Sequence, residues 1–100
     1  MKYNKLVRDK IPEHIREKGS LPIIHTADES EYWLKLKEKL LEEVGEFNKD
    51  ENIEELADIL EVIDAIISYK RFDKVKISEV KAKKFQDKGG FNKRIILDES

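Results

Sequence analysis

Four acidic residues in the middle of the chain carry its most chemical pattern. Glu43 and Glu46 are spaced i, i+3 in one helical run, and Glu55 and Asp58 repeat the spacing in the next. Residues three apart stack on one side of a helix. Two such helices packed antiparallel bring four carboxylates into one small volume. Four anions there repel one another unless a cation sits among them, and hard oxygen donors select Mg²⁺, Mn²⁺ or Ca²⁺ over zinc. The mundane alternative is a pair of solvated helix faces, because most Asp and Glu face water. Complementing a helix dipole accounts for Glu54 and Glu55 in a first turn, but not for Asp58 or Glu46.

The elements that must position these acids follow from periodicity. Pro12 and Gly19 bracket a short helix over residues 12–18. Asp28 is a natural N-cap, with Glu31 as its capping-box partner, for a helix over 29–49. Trp33, Leu36, Leu40, Leu41, Val44 and Phe47 recur there as one apolar stripe. Glu43 and Glu46 lie on its shoulder, and Glu42 points more nearly away from the core. Asp50 or Asn52 caps the next helix, over 53–70. That helix is apolar nearly all round. Leu56, Leu60, Ile63 and Ile67 form one face, while Ile59, Val62 and Ile66 form a second that also carries Glu55 and Asp58. So much apolar surface predicts either an oligomer whose interface includes the second face or a more compact four-helix core. A fourth helix, over 74–87, has an incomplete stripe of Val75, Val80 and Phe85 and stops at Gly89–Gly90. Residues 21–26 (LPIIHT) and 91–97 (FNKRIIL) read as short strands that pair into a ribbon leaning on the helices. The expected fold is therefore all-α, four-helix, with a minor two-stranded β ribbon, in a single domain spanning residues 1–100.

Composition narrows the function. Of 100 residues, 42% are charged, but 20 Lys and Arg nearly balance 22 Asp and Glu, for a net charge of −2. That argues against a nucleic-acid polymer as partner, which calls for a clearly basic surface. There are no cysteines, which removes disulfides, thiol nucleophiles and Cys-ligated zinc. No apolar run exceeds four residues, so no membrane span is expected. The opening MKYNKLVRDKIPEHI lacks the apolar core of a signal peptide, and a cytoplasmic protein is expected. His14 and His25 lack metal-ligand spacing. Ser20, Ser30, Ser68 and Ser78 have no nucleophile context, and no Gly-rich phosphate loop is present. Trp33 and Phe47 fit the core stripe. Tyr3, Tyr32 and Tyr69 are able to stack on a base, with nothing to choose among them.

The acidic residues also carry a resemblance. Glu42-Glu43-Val44-Gly45-Glu46, followed by Glu55-Leu56-Ala57-Asp58, resembles the EExxE…ExxD pattern of the MazG-like all-α nucleoside triphosphate pyrophosphatases. YNKLVRDKIPEHI (residues 3–15) and KGGFNKRIIL (residues 88–97) are similar to the ends of a small phosphoribosyl-ATP pyrophosphohydrolase-like subgroup. The resemblance implies an Mg²⁺-dependent hydrolase, with Mn²⁺ as substitute, that splits a nucleotide between its α- and β-phosphates into monophosphate and pyrophosphate. Carried onto this chain, Glu43, Glu46, Glu55 and Asp58 would hold the metal, with Glu42 as helper. Glu46, or Glu43, would orient or deprotonate the attacking water. Only eight residues separate Glu46 from Glu55, so the turn between the helices must be tight.

A polyanionic substrate needs positive charge around its leaving pyrophosphate. Lys70-Arg71, Lys81, Lys83-Lys84, Lys88 and Lys93-Arg94 supply it, each with a plain surface role as its alternative. Lys84 and Arg94 are preferred because they flank the Gly89–Gly90 turn, with Lys81 next. Arg8, in LVRDKIP, either belongs to a salt-bridged entry to the first helix or reaches into a phosphate site, its own or one across a subunit boundary. The expected partners are a nucleotide substrate and further copies of the chain, as dimer or tetramer. Two alternatives stand beside the general pyrophosphatase: phosphoribosyl-ATP pyrophosphohydrolase of histidine synthesis, and a non-catalytic helical oligomerisation or binding module.

Overall fold

The structure, a computed structural model, describes residues 3–100; the first two residues of the N-terminal segment lie outside them. It contains four helices: α1 (Ile11–Glu17), α2 (Glu29–Asp50), α3 (Ile53–Lys70) and α4 (Lys74–Lys88). The chain is all-α among the described residues. Sequence signals place the helix ends well. Asp28 caps α2 by accepting from the Glu31 amide at 2.9 Å, and Asn52 caps α3 by accepting from the Glu55 amide at 2.9 Å. The capping box is incomplete, because the Glu31 carboxylate pairs with His25 Nε2 at 2.9 Å. Asp73, not foreseen as a cap, accepts from the Val75 amide and starts α4.

The link between α2 and α3 is as short as the spacing requires. Glu51 takes a left-handed conformation (φ 48°, ψ 44°), and Asn52 is extended. Two residues leave the chain no room to do anything but reverse, so α2 and α3 form an antiparallel hairpin. Among the described residues it is the one extensively packed helix pair. Leu36 (1% exposed) and Val62 (8%) are its buried centre. At the open end of the hairpin, Trp33 stacks on Tyr69 with ring centroids 5.1 Å apart, and Tyr32 meets Tyr69 edge-on at 5.6 Å. Lys37 and Lys70 sit over the Trp33 ring. These aromatics close the hairpin, as the core stripe predicts for Trp33.

Three expectations need correction. First, the β ribbon is absent: residues 21–26 and 91–97 form no ladder. Ile23 is fully exposed, and Phe91, Ile95, Ile96 and Leu97 are also uncovered. A two-stranded ribbon needs an apolar platform beneath it, and α4, which buries no residue, offers none. Second, the α2 stripe divides. Leu36 is buried and Leu40 and Phe47 are half-buried, while Leu41 and Val44 face outward. Third, the α3 face carrying Ile59, Val62 and Ile66 packs on α2, and the Leu56–Leu60–Ile63 face is the one left uncovered. Val62 decides this, because it alone on α3 is buried.

Gly45 lies mid-helix on α2, and a Cβ there would meet open space. Glycine in a helix interior costs about 1 kcal/mol relative to alanine. Gly45→Ala is therefore expected to stabilise the protein by about 0.5–1 kcal/mol in urea unfolding.

Candidate functional site

The hairpin places the acids by geometry alone. Near its closed end the N-terminal turns of α3 face the C-terminal half of α2. Carboxylate oxygens of Glu43, Glu55 and Asp58 lie within 4.8 Å of one another. A second trio, Glu46, Asp50 and Glu55, meets the same criterion. The four acids singled out by sequence thus come together as two overlapping groups joined at Glu55. Glu46 does not share a trio with Asp58. Asp50 is an addition; it lies one turn after Glu46, and that i, i+4 spacing was the available signal.

Two cations are already engaged with the acids. Arg8 Nη2 donates to Asp58 Oδ1 at 2.7 Å. Lys39 Nζ lies 3.3 Å from Glu43 Oε1 and 3.1 Å from Glu42 Oε2. Lys39 was not foreseen, although its spacing to Glu42 and Glu43 (i+3, i+4) is the usual one for a helical ion pair. Glu42 does not point idly to solvent: Lys5 Nζ also donates to its Oε1 at 2.8 Å. Lys35 Nζ donates to the Asn4 carbonyl at 2.9 Å. The segment before α1 is therefore tied across the hairpin by Asn4, Lys5 and Arg8. Of the two readings of LVRDKIP, the ion pair made by Arg8 reaches α3 rather than the entry to α1.

This tethered segment roofs a cavity of about 450 Å³. Its lining includes Leu6, Arg8, Lys39, Glu43, Asp58 and Glu61, with Tyr32 toward the aromatic end. Lys81, Lys84 and Arg94 do not line it; all three are exposed on α4 and the tail. Within one chain the structure does not bring these three to the acids, because α4 leaves the hairpin after the left-handed turn at Arg71.

Charge shows in the titration of the site. Partial withdrawal from water, followed by repulsion from Asp58, Glu46, Asp50 and Glu43, pushes the Glu55 carboxyl above its ordinary value. Glu42 shifts the opposite way, held down first by the Lys5 hydrogen bond and then also by Lys39. Lys5 is raised by the same bond. A donor set of three carboxylates with one of them electrostatically disfavoured as an anion suits a hard divalent cation.

Comparison with known proteins adds little. No family model matches the chain, and no solved structure matches it. A protein from Mycolicibacterium smegmatis (strain ATCC 700084 / mc(2)155), described as uncharacterized, is 56% identical over 41 residues. That stretch is 41% of this chain and 42% of the relative, so the match spans about two fifths of the relative's length. No helix among the described residues is long and apolar enough to cross a membrane.

The opposite shifts predict opposite pH behaviour. Glu55, raised in the fold, costs stability when ionised, and that cost disappears as pH falls through its native value. Glu55→Gln should raise the melting temperature at pH 7 without metal, with the gap closing below about pH 4.5. Glu42, lowered in the fold, contributes stability that is lost as pH falls. Glu42→Gln should lower the melting temperature at pH 7, with that loss shrinking on acidification. Thermal melts at pH 3.5 to 8 check both signs.

Proposed function

We propose that this chain is a Mg²⁺-dependent nucleotide pyrophosphohydrolase, cleaving between the α- and β-phosphates to release a monophosphate and pyrophosphate. The observation that carries this reading is the convergence of Glu43, Glu55 and Asp58 from two helices beside a cavity roofed by Arg8. The EExxE…ExxD resemblance to MazG-like pyrophosphatases points the same way.

Glu43, Glu55 and Asp58 are the groups that would hold Mg²⁺ or Mn²⁺. A bound cation supplies positive charge to the phosphates and acidity to a water. Glu46 is exposed and has no ion pair among the described residues. It is freer than Glu43, which Lys39 restrains, to orient a water or take its proton. Arg8 offers a planar fork suited to phosphate oxygens.

The working form is an oligomer, and its interface is the uncovered flank. A compact monomer of 11.8 kDa would expose about 5,900 Å². This chain exposes 9527 Å², and its radius of gyration is 17.9 Å, against about 13 Å for a compact chain of this length. On a helical wheel, Leu56, Leu60 and Ile63 share a flank of the hairpin with Val44, on the side away from Arg8. Lys81, Lys84 and Arg94 would serve as phosphate contacts only where another copy brings its own α4 and tail to the acidic side.

The reaction is tested by pyrophosphate release from nucleoside triphosphates, deoxynucleoside triphosphates and phosphoribosyl-ATP, with Mg²⁺ and then with EDTA. Turnover should need the metal and fall at least about 100-fold in Glu43→Gln and Asp58→Asn, with helix content intact by circular dichroism. Persistent turnover in both variants rules the site out. Preference for phosphoribosyl-ATP would favour the biosynthetic enzyme, and no turnover by a folded oligomer would favour a binding module. For the interface, Leu60 is 54% exposed in the single chain. Leu60→Glu should convert the oligomer to monomer in light scattering; an unchanged mass places the interface elsewhere.

A further inference from the structure

We propose that Arg8 is an internal counter-ion of the acid cluster, displaced from Asp58 by a divalent cation and thereby released to bind the phosphates of the substrate. This rests on the metal-site reading above and adds an exchange step built into the fold.

The three carboxylates of the first trio have two cationic partners between them. Lys39 serves Glu43 and Arg8 serves Asp58, while Glu55 has none among the described residues. The two cations differ in what holds them. Lys39 is fixed to the same helix as Glu43, one turn away, and stays beside it whatever binds. Arg8 comes from a non-helical segment fifty residues distant in sequence. Its guanidinium uses the same carboxylate lone pairs that a hard cation needs. Asp58 cannot offer Oδ1 fully to both, so binding of one weakens the other.

Release of Arg8 does not require the segment to leave. Lys5 holds Glu42 at 2.8 Å and Lys35 holds the Asn4 carbonyl at 2.9 Å, both independent of Asp58. These anchors keep the Arg8 backbone at the cavity while its side chain, 57% exposed, swings free. The freed guanidinium then faces a cavity whose arriving ligand is anionic. One residue thus balances the acids before the metal arrives and the phosphates after it.

The exchange predicts effects of opposite sign from one substitution. Arg8→Gln should bind Mg²⁺ tighter than the native protein, by roughly two- to fivefold, the range for losing a partly exposed ion pair. The same variant should bind inorganic pyrophosphate in saturating Mg²⁺ more weakly, by roughly tenfold. Both are read by calorimetry at low salt. Lys10→Gln removes an equal charge from the same segment without breaking either anchor and serves as control, with a smaller gain in Mg²⁺ affinity. In the unmodified protein, the Arg8 Nε–Hε resonance should shift during a Mg²⁺ titration with the same midpoint as calorimetry. The inference fails if Arg8→Gln leaves Mg²⁺ affinity unchanged or weaker, if Lys10→Gln gives an equal gain, or if the Arg8 resonance does not move. In each of those cases Mg²⁺ still binds and the metal site stands. Absence of Mg²⁺ binding in every protein would remove the metal site and this inference together.

Discussion

The two-residue link at Glu51 and Asn52 forces α2 and α3 back on each other, and the placement of the site's carboxylates follows from that reversal. A longer connection would let the helices slide or splay, and the acids of α2 and α3 would become ordinary solvated side chains. The short link instead fixes their register, so that Glu43 meets Asp58 and Glu55, and Glu46 and Asp50 meet Glu55. Repulsion among them is offset partly by Lys39 from the same helix and partly by Arg8 from the N-terminal segment. The raised Glu55 carboxyl marks the portion that remains uncompensated.

A second constraint is that the hairpin has too much apolar surface for one chain to cover. Burial of apolar surface is the main favourable contribution to folding. Here it is concentrated on Leu36, Val62 and their neighbours. The Leu56–Leu60–Ile63 flank, most of α4 and the tail remain open to water. Exposed apolar surface on this scale is characteristic of partner contacts. The hairpin therefore has two unlike sides, an acidic one tied to the N-terminal segment and an apolar one left uncovered.

The parts legible in sequence are those fixed by local rules. Asp28 announced α2 through capping, Asp50 and Asn52 were the two caps offered for α3, of which the chain uses Asn52, and the eight-residue gap between Glu46 and Glu55 required a tight turn. These rest on spacing within a few residues, where backbone geometry leaves little choice. The convergence of the four acids was legible as a possibility because i, i+3 pairs on an antiparallel hairpin have few other arrangements. What sequence misjudged depends on contacts between distant segments. The ribbon of residues 21–26 and 91–97 had suitable residues but no platform. The choice between two apolar faces of α3 turned on which one α2 would take. Asn4, Lys5 and Arg8 tie the N-terminal segment to residues 31, 37 and 50 positions away, a pairing no local pattern discloses.

The most direct test of a divalent site at the closed end of this hairpin is paramagnetic broadening of amide resonances during a Mn²⁺ titration. The site described here predicts selective loss of signal around Glu43, Glu46, Glu55 and Asp58 at low Mn²⁺, reversed by excess Mg²⁺, with α1 and the aromatic end of the hairpin untouched. Broadening centred elsewhere, such as the acidic tail at Asp98 and Glu99, or spread evenly over all exposed acids, would contradict it.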